Sequence, residues 1–246
     1  MYRFVVLLIL ATGAASSTLS AEVSASVICN TAIQGPVREL EASLRAKSGL
    51  PVTIVSGANA QGQRRVDSGE PVDVVILTKE AIQQMAAKGL IKLQVDLAMS
   101  DVGLAVADQA PTPVLQTPED LAKLLREIPS LGYTTGASGQ HMTQVINQLG
   151  LTEVMKPKST LVGGAAGRLL VDGKVAAAVQ QMGELRAEGA KNIVPLPEAL
   201  QMHSIVTVAV MSNAPHPQAA VEMLRVLTSP SAVPVYQRWG LVPLYR

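Results

Sequence analysis

Three segments of this chain concentrate the small polar residues that can hold an anion without a full countercharge. Asn30-Thr31 follows the apolar run Val23 to Ile28, Ser56-Gly57-Ala58-Asn59 follows Val52 to Val55, and Thr134-Thr135-Gly136-Ala137-Ser138-Gly139 closes the run that starts at Leu131. Each places hydroxyls, amides or glycine-exposed N–H groups at a helix start, where the helix dipole is positive. Ordinary capped turns use the same residue types, and one such loop alone is better read that way. Spread over both halves of the chain, the three together point to a shared oxyanion-binding cleft.

Other side chains could add chemistry to such a cleft. His141, near the start of the helix after the third loop, could donate to a carboxylate or shuttle a proton near neutral pH, against the plainer reading of a surface histidine. Arg64 and Arg65 could neutralise a di- or tricarboxylate through bidentate contacts, or form a solvated helix face. Arg168, after Gly163-Gly164-Ala165-Ala166-Gly167, has the same ambiguity. Thr78 follows the strand ending at Leu77, and Gln180, Gln181 and Glu184 follow a late one, so these complete the candidate set. Cys29 reads as a buried, inert thiol rather than a nucleophile. His141, His203 and His216 share no spacing and no acidic cluster, so no metal is expected. The glycine-rich stretch at 163–167 lacks the Lys-Ser/Thr of a phosphate loop, and no cofactor is expected.

The elements that must position these residues alternate. Val23 to Ile28, Val52 to Val55 and Val72 to Leu77 read as strands separated by helical stretches, one with Val37, Leu40 and Leu44 at helical spacing and Gly49 at its end. A helix over Glu80 to Lys88 closed by Gly89 follows, then a strand over Val102 to Ala107. Thr117-Pro118-Glu119-Asp120 marks a helix start: Thr caps, Pro occupies the first turn and the acids face the dipole. Leu131 to Thr134, Ser159 to Val162, Val175 to Val179 and Ile205 to Met211 read as further strands, with helices over Gln140 to Leu149 and Pro217 to Leu227. A last short helix starts at Ser229-Pro230 and ends at Trp239-Gly240. Such alternation predicts an α/β fold with mainly parallel sheets flanked by helices.

Composition narrows the function. The chain has 246 residues, 20 basic against 19 acidic, so no global field draws it to nucleic acid or an anionic membrane. One Trp, one Phe and four Tyr leave little for base-stacking or sugar-binding platforms. Residues 1–21, with Arg3 before the apolar run Phe4 to Ala14 and small residues up to Ala21, read as a signal peptide. An exported chain with Cys29 alone forms no internal disulfide.

At this level the chain resembles the molybdate-binding-protein-like group of type 2 periplasmic binding proteins. The resemblance rests on Val27-Ile28-Cys29-Asn30-Thr31-Ala32, Val55-Ser56-Gly57-Ala58-Asn59, Ser68-Gly69-Glu70-Pro71-Val72-Asp73 with the strand that follows, Lys88-Gly89-Leu90-Ile91, Leu227-Thr228-Ser229-Pro230 and Trp239-Gly240-Leu241-Val242-Pro243. It implies two lobes with a hinge-closing cleft between them, lobe 1 from residues 22–98 plus 204–246 and lobe 2 from 99–203. It also implies a small anionic ligand, an inner-membrane ABC transporter permease as partner, a periplasmic location and a monomer. Molybdate binders usually carry a Ser pair after each of the first two strands; here Asn30-Thr31 and Ser56-Gly57-Ala58 stand instead. The segment Gly136-Ala137-Ser138-Gly139-Gln140-His141 is similar to a loop of aconitate isomerases built on the same fold. Two functions follow as expectations: a solute receptor for an oxyanion or carboxylate, and an isomerase moving an allylic proton with His141 as base.

Overall fold

The computed structural model describes residues 23–245. The signal peptide expected over 1–21 lies outside them. The strands are β1 (Ala25–Asn30), β2 (Val52–Gly57), β3 (Val74–Thr78), β4 (Ile91–Val106), β5 (Leu131–Thr134), β6 (Ser159–Val162), β7 (Ala177–Gln181), β8 (Ile193–Pro195), β9 (His203–Met211) and β10 (Leu241–Pro243). They hydrogen-bond into one 10-stranded array with the order β2-β1-β3-β9-β4-β7-β5-β6, with β8 and β10 added on β4.

The array has two wings. In the first, β1 pairs in parallel with β2 and β3; in the second, β5 pairs in parallel with β6 and β7. The expected parallel pairing describes these triples. Between them the sheet is antiparallel, because β4 and β9 run against each other and against their outer neighbours β7 and β3. β4 spans both wings. Its residues up to Asp101 pair with β9 and β10, and from Val102 onward it pairs with β7 and β8.

Both faces of each wing are covered, which is why the parallel strands read as continuous apolar runs. On β1 and β3, Val27, Cys29, Val74 and Ile76 face the helices Gln34–Glu39, Glu41–Ser48 and Pro217–Leu227. Ile28, Val75 and Leu77 face the opposite side, with Val66 and Ile82 from the helices Asn59–Asp67 and Lys79–Ala87. In the second wing Leu104, Leu131, Tyr133 and Val179 pack under the helices Pro118–Glu127 and Ala137–Gln148, while the smaller Ala105 and Ala178 lie under Ala166–Val171 and Met182–Ala187.

Most sequence-level elements are present within a residue or two, and Leu131–Thr134, Ser159–Val162 and Pro217–Leu227 match end for end. The Thr117 cap forms as expected, its hydroxyl accepting from the Asp120 amide at 3.2 Å. Gly49 and Gly89 take the left-handed conformation after their helices, at φ +72° and +74°. Three differences stand out. The helix around Val37 breaks at Leu40 into two. β4 begins at Ile91, well before the expected Val102. The helices Ala166–Val171 and Met182–Ala187 were unread.

Candidate functional site

A cavity of about 340 Å³ opens between the two wings, at the ends of β1, β3, β5 and β7. Parallel strands end there in loops that enter helices, so the first-turn N–H groups point into it. The amides of Ala137, Ser138 and Gly139 have no acceptor among the described residues, and neither do those of Asn59 and Ala60. From the expected set, Asn30, Thr31, Gly57, Ala58, Asn59, Thr78, Thr134, Gly136, Ala137, Ser138, Gln180, Gln181 and Glu184 line this cavity.

The side-chain amides are oriented by the scaffold. Asn59 Oδ1 accepts from the Thr78 amide at 3.0 Å and from Asn30 Nδ2 at 3.4 Å, while Asn30 Oδ1 accepts from the Ile33 amide at 3.2 Å. Gln61 Oε1 accepts from the Ala58 amide at 3.0 Å. Backbone N–H groups thus use the carbonyl ends of Asn59 and Gln61, and their NH₂ ends have no partner among the described residues. Thr134 and Ser138 are 6% and 5% exposed, and their hydroxyls meet each other only at 3.5 Å, so both keep donor capacity for the cavity.

Two glutamates complete the lining. Glu184 contacts the Thr31 hydroxyl from the opposite wing. Glu188 accepts from Gln180 Nε2 at 3.0 Å and from the Arg168 amide at 3.2 Å. Burial raises the pKa of both, and for Glu188 the neighbouring Glu184 charge adds to the rise. No lysine, arginine or histidine lines the cavity among the described residues.

Seven residues of the expected set lie elsewhere, among them Arg168, which pairs with Asp172 at 3.0 Å. Arg64 and Arg65 occupy the last turn of Asn59–Asp67, roughly 8 Å along the axis from its cavity-facing start. They line a second cavity of about 510 Å³ with Ser56 and Ser68, and Arg65 pairs with Glu70 at 2.5 Å. The Ser56 hydroxyl donates to Gln34 Oε1 at 2.7 Å. His141 is held by the Leu200 carbonyl, with Nε2 at 2.8 Å, and faces the 198–200 turn rather than the cavity. Thr135 uses its amide on the Val162 carbonyl beside the cavity. Gly139 is a packing residue: a Cβ there would lie 1.5 Å from the Thr134 carbonyl oxygen, so only glycine lets the helix sit on the end of β5.

The structure also brings in residues that sequence reasoning missed. Gln34, Gln61, Glu188 and Ser204 reach the cavity from places no local pattern marks. Gly163, Gly164 and Ala165 carried a signal, as a glycine-rich stretch, and line it too. Cys29 is buried, and burial pushes its thiol up to about 12, so it stays protonated.

A sheet of two wings crossed by antiparallel strands, with a polar cleft at the strand ends between them, defines the two-lobed fold of periplasmic ligand-binding proteins. The chain belongs to the bacterial extracellular solute-binding protein family, whose sequence profile matches residues 25–242. Its fold is similar to the periplasmic molybdate-binding protein of Azotobacter vinelandii, with a TM-score of 0.75 at 15% identity over 90% of this chain and 100% of the other. A sulfate-binding protein of Mycobacterium tuberculosis aligns with a TM-score of 0.66 at 15% identity, over 90% and 87% of the two chains. In sequence, an aconitate isomerase of Pseudomonas sp is 27% identical over 230 residues, 89% of this chain and 87% of that one.

Proposed function

We propose that this protein is a solute receptor that closes its two lobes on a small anion, an oxyanion or an organic carboxylate. The observation that carries the reading is the set of uncommitted hydrogen-bond donors that meet in the cleft. Asn59 and Gln61 line it with their NH₂ groups uncommitted, Thr134 and Ser138 offer hydroxyls, and helix starts offer free amides. Fixed dipoles of this kind hold an anion without the desolvation cost of a buried cation. A volume of about 340 Å³ suits a small ligand. The lobes are taken as 22–98 with 204–246 and 99–203, with export to the periplasm, action as a monomer and delivery to an ABC transporter permease as parts of the same proposal.

A second reading is an isomerase like the aconitate isomerase relative. Glu184 favours it, since a carboxyl with a raised pKa facing the cleft suits a general base. Against it, a trianion would enter a cleft with no cation among the described lining residues. Receptor is therefore the primary reading.

A thermal-shift screen of the purified protein tests it, using molybdate, tungstate, sulfate, phosphate and di- and tricarboxylates including both aconitate isomers. A ligand that binds the native state raises the melting temperature. Stabilisation by an anion without conversion supports a receptor; appearance of the second aconitate isomer on incubation supports the enzyme. Stabilisation by cations alone would overturn both.

A further inference from the structure

The cavity that we read as an anion site contains two carboxyl groups and no basic side chain among its described lining residues. A carboxylate next to a bound anion is repulsive, and in a closed cleft the repulsion is poorly screened. The two acids differ in how their oxygens are occupied. Glu188 accepts from an amide NH₂ and a backbone N–H, one on each oxygen. Glu184 takes the Thr31 hydroxyl on Oε1, with the Gln180 side chain and the Gln181 backbone N–H also on its carboxyl; of these the Thr31 hydroxyl can accept as readily as it donates.

The charges around Glu184 do not neutralise it. On its own helix Arg186 lies toward Gly240, whose Cβ position is 3.4 Å from Arg186 Nε. The facing helix Gln34–Glu39 carries Arg38 and Glu39, the latter engaged by Arg238 and Trp239. The helix Ala166–Val171 carries Arg168, which pairs with Asp172 at 3.0 Å. On β4, Lys92 lies on the early part, Asp96 pairs with Lys79 and Asp101 with His203. β7 and β8 contribute no titratable side chain. None of these basic groups lines the cavity.

We propose that Glu184 is a ligand-binding acid: its protonated carboxyl donates a hydrogen bond to the bound anion, so that each anion is captured together with one proton. The proposal rests on the anion reading of the cleft. Burial, which favours the neutral acid, acts in the same direction. The balance is one anion and one proton taken up per closed complex. Above the free protein's Glu184 pKa, affinity then falls about tenfold per pH unit; below it, affinity is flat.

Isothermal titration between about pH 5 and 8, in two buffers of different ionisation enthalpy, counts the protons. The probes are sulfate, which does not titrate over this range, molybdate and trans-aconitate. Wild type is expected to take up protons with sulfate, the uptake rising with pH toward one per sulfate as free Glu184 ionises. Glu184→Gln keeps an N–H donor and cannot ionise, so it should lose the uptake and the slope, and bind more tightly than wild type at pH 8. A flat wild-type affinity without proton uptake overturns the proposal while leaving the anion site standing, and so does a Glu184→Gln protein that keeps the wild-type slope. If none of the probes binds at any pH, the anion reading falls and this proposal with it.

Discussion

A Cβ added to Gly183 would lie 2.2 Å from the carbonyl oxygen of Ala32, across the cleft between the wings. Beside this contact Thr31 meets Glu184, so the helix Met182–Ala187 and the loop after β1 touch at the mouth of the cavity. The two wings touch here, and the absence of a side chain at 183 permits it.

Gly183→Ala should therefore hold the lobes apart. Alanine in a helix is intrinsically favoured over glycine by about 1 kcal/mol, so a free protein that relieves the clash by opening should melt no lower than wild type. Ligand affinity should fall at least tenfold, because closed-state contacts are lost. Unchanged affinity, measured by titration calorimetry, would show that closure does not need this contact.

Asp73 should be a stability residue with no part in binding. It is 0% exposed and accepts from the Ser26 amide at 2.8 Å and the His216 amide at 2.7 Å, with His216 Nδ1 at 3.1 Å. It ties β1 to the start of Pro217–Leu227, which explains an acid at the end of Gly69-Glu70-Pro71-Val72-Asp73. Asp73→Ala leaves buried donors unpaired and should cost about 3–5 kcal/mol in urea unfolding. A loss below about 1 kcal/mol would contradict this.

His203 should make stability depend on pH near neutrality. It pairs in register with Asp101 where β4 passes between wings, with Nδ1 at 2.8 Å from Asp101 and Nε2 at 3.1 Å from Glu198. These carboxylates, Asp101 first, raise its pKa in the fold. Its stabilisation is fully present below the unfolded value of about 6.5 and is lost as pH rises through the folded value. The pair is solvent-exposed, so the effect is small. Comparing urea midpoints at pH 6 and 8.5, His203→Asn should lose more at pH 6; an equal loss at both would refute the linkage.

How much of this was legible from the chain depended on local punctuation. Leu131–Thr134 and Pro217–Leu227 were readable because turns and Pro217 bound them. The first half of β4 was missed although Ile91, Leu93, Val95 and Leu97 alternate with Lys92, Gln94 and Asp96 in the two-residue period of a half-buried strand; its pairing with β9 is distant in sequence. Loops after strands marked much of the cavity, since helix starts need the same residues that hold anions. Arg64, Arg65 and His141 lie off this cavity, which composition could not show, because it gives neither helical phase nor which end of a helix faces the cleft. Gly183 and Glu184 acquire their meaning only when Ala32 and Thr31 are folded against them.

The most direct test of the central claim is calorimetric titration of the most stabilising anion from the screen into wild type and a Thr134→Val, Ser138→Ala variant. Hydrogen bonds to a charged group contribute about 1.5–3 kcal/mol each, so removing two donors should weaken binding at least tenfold without lowering the melting temperature of the free protein by more than a few degrees. Equal affinity in the two proteins would place the anion outside this cleft and contradict the account.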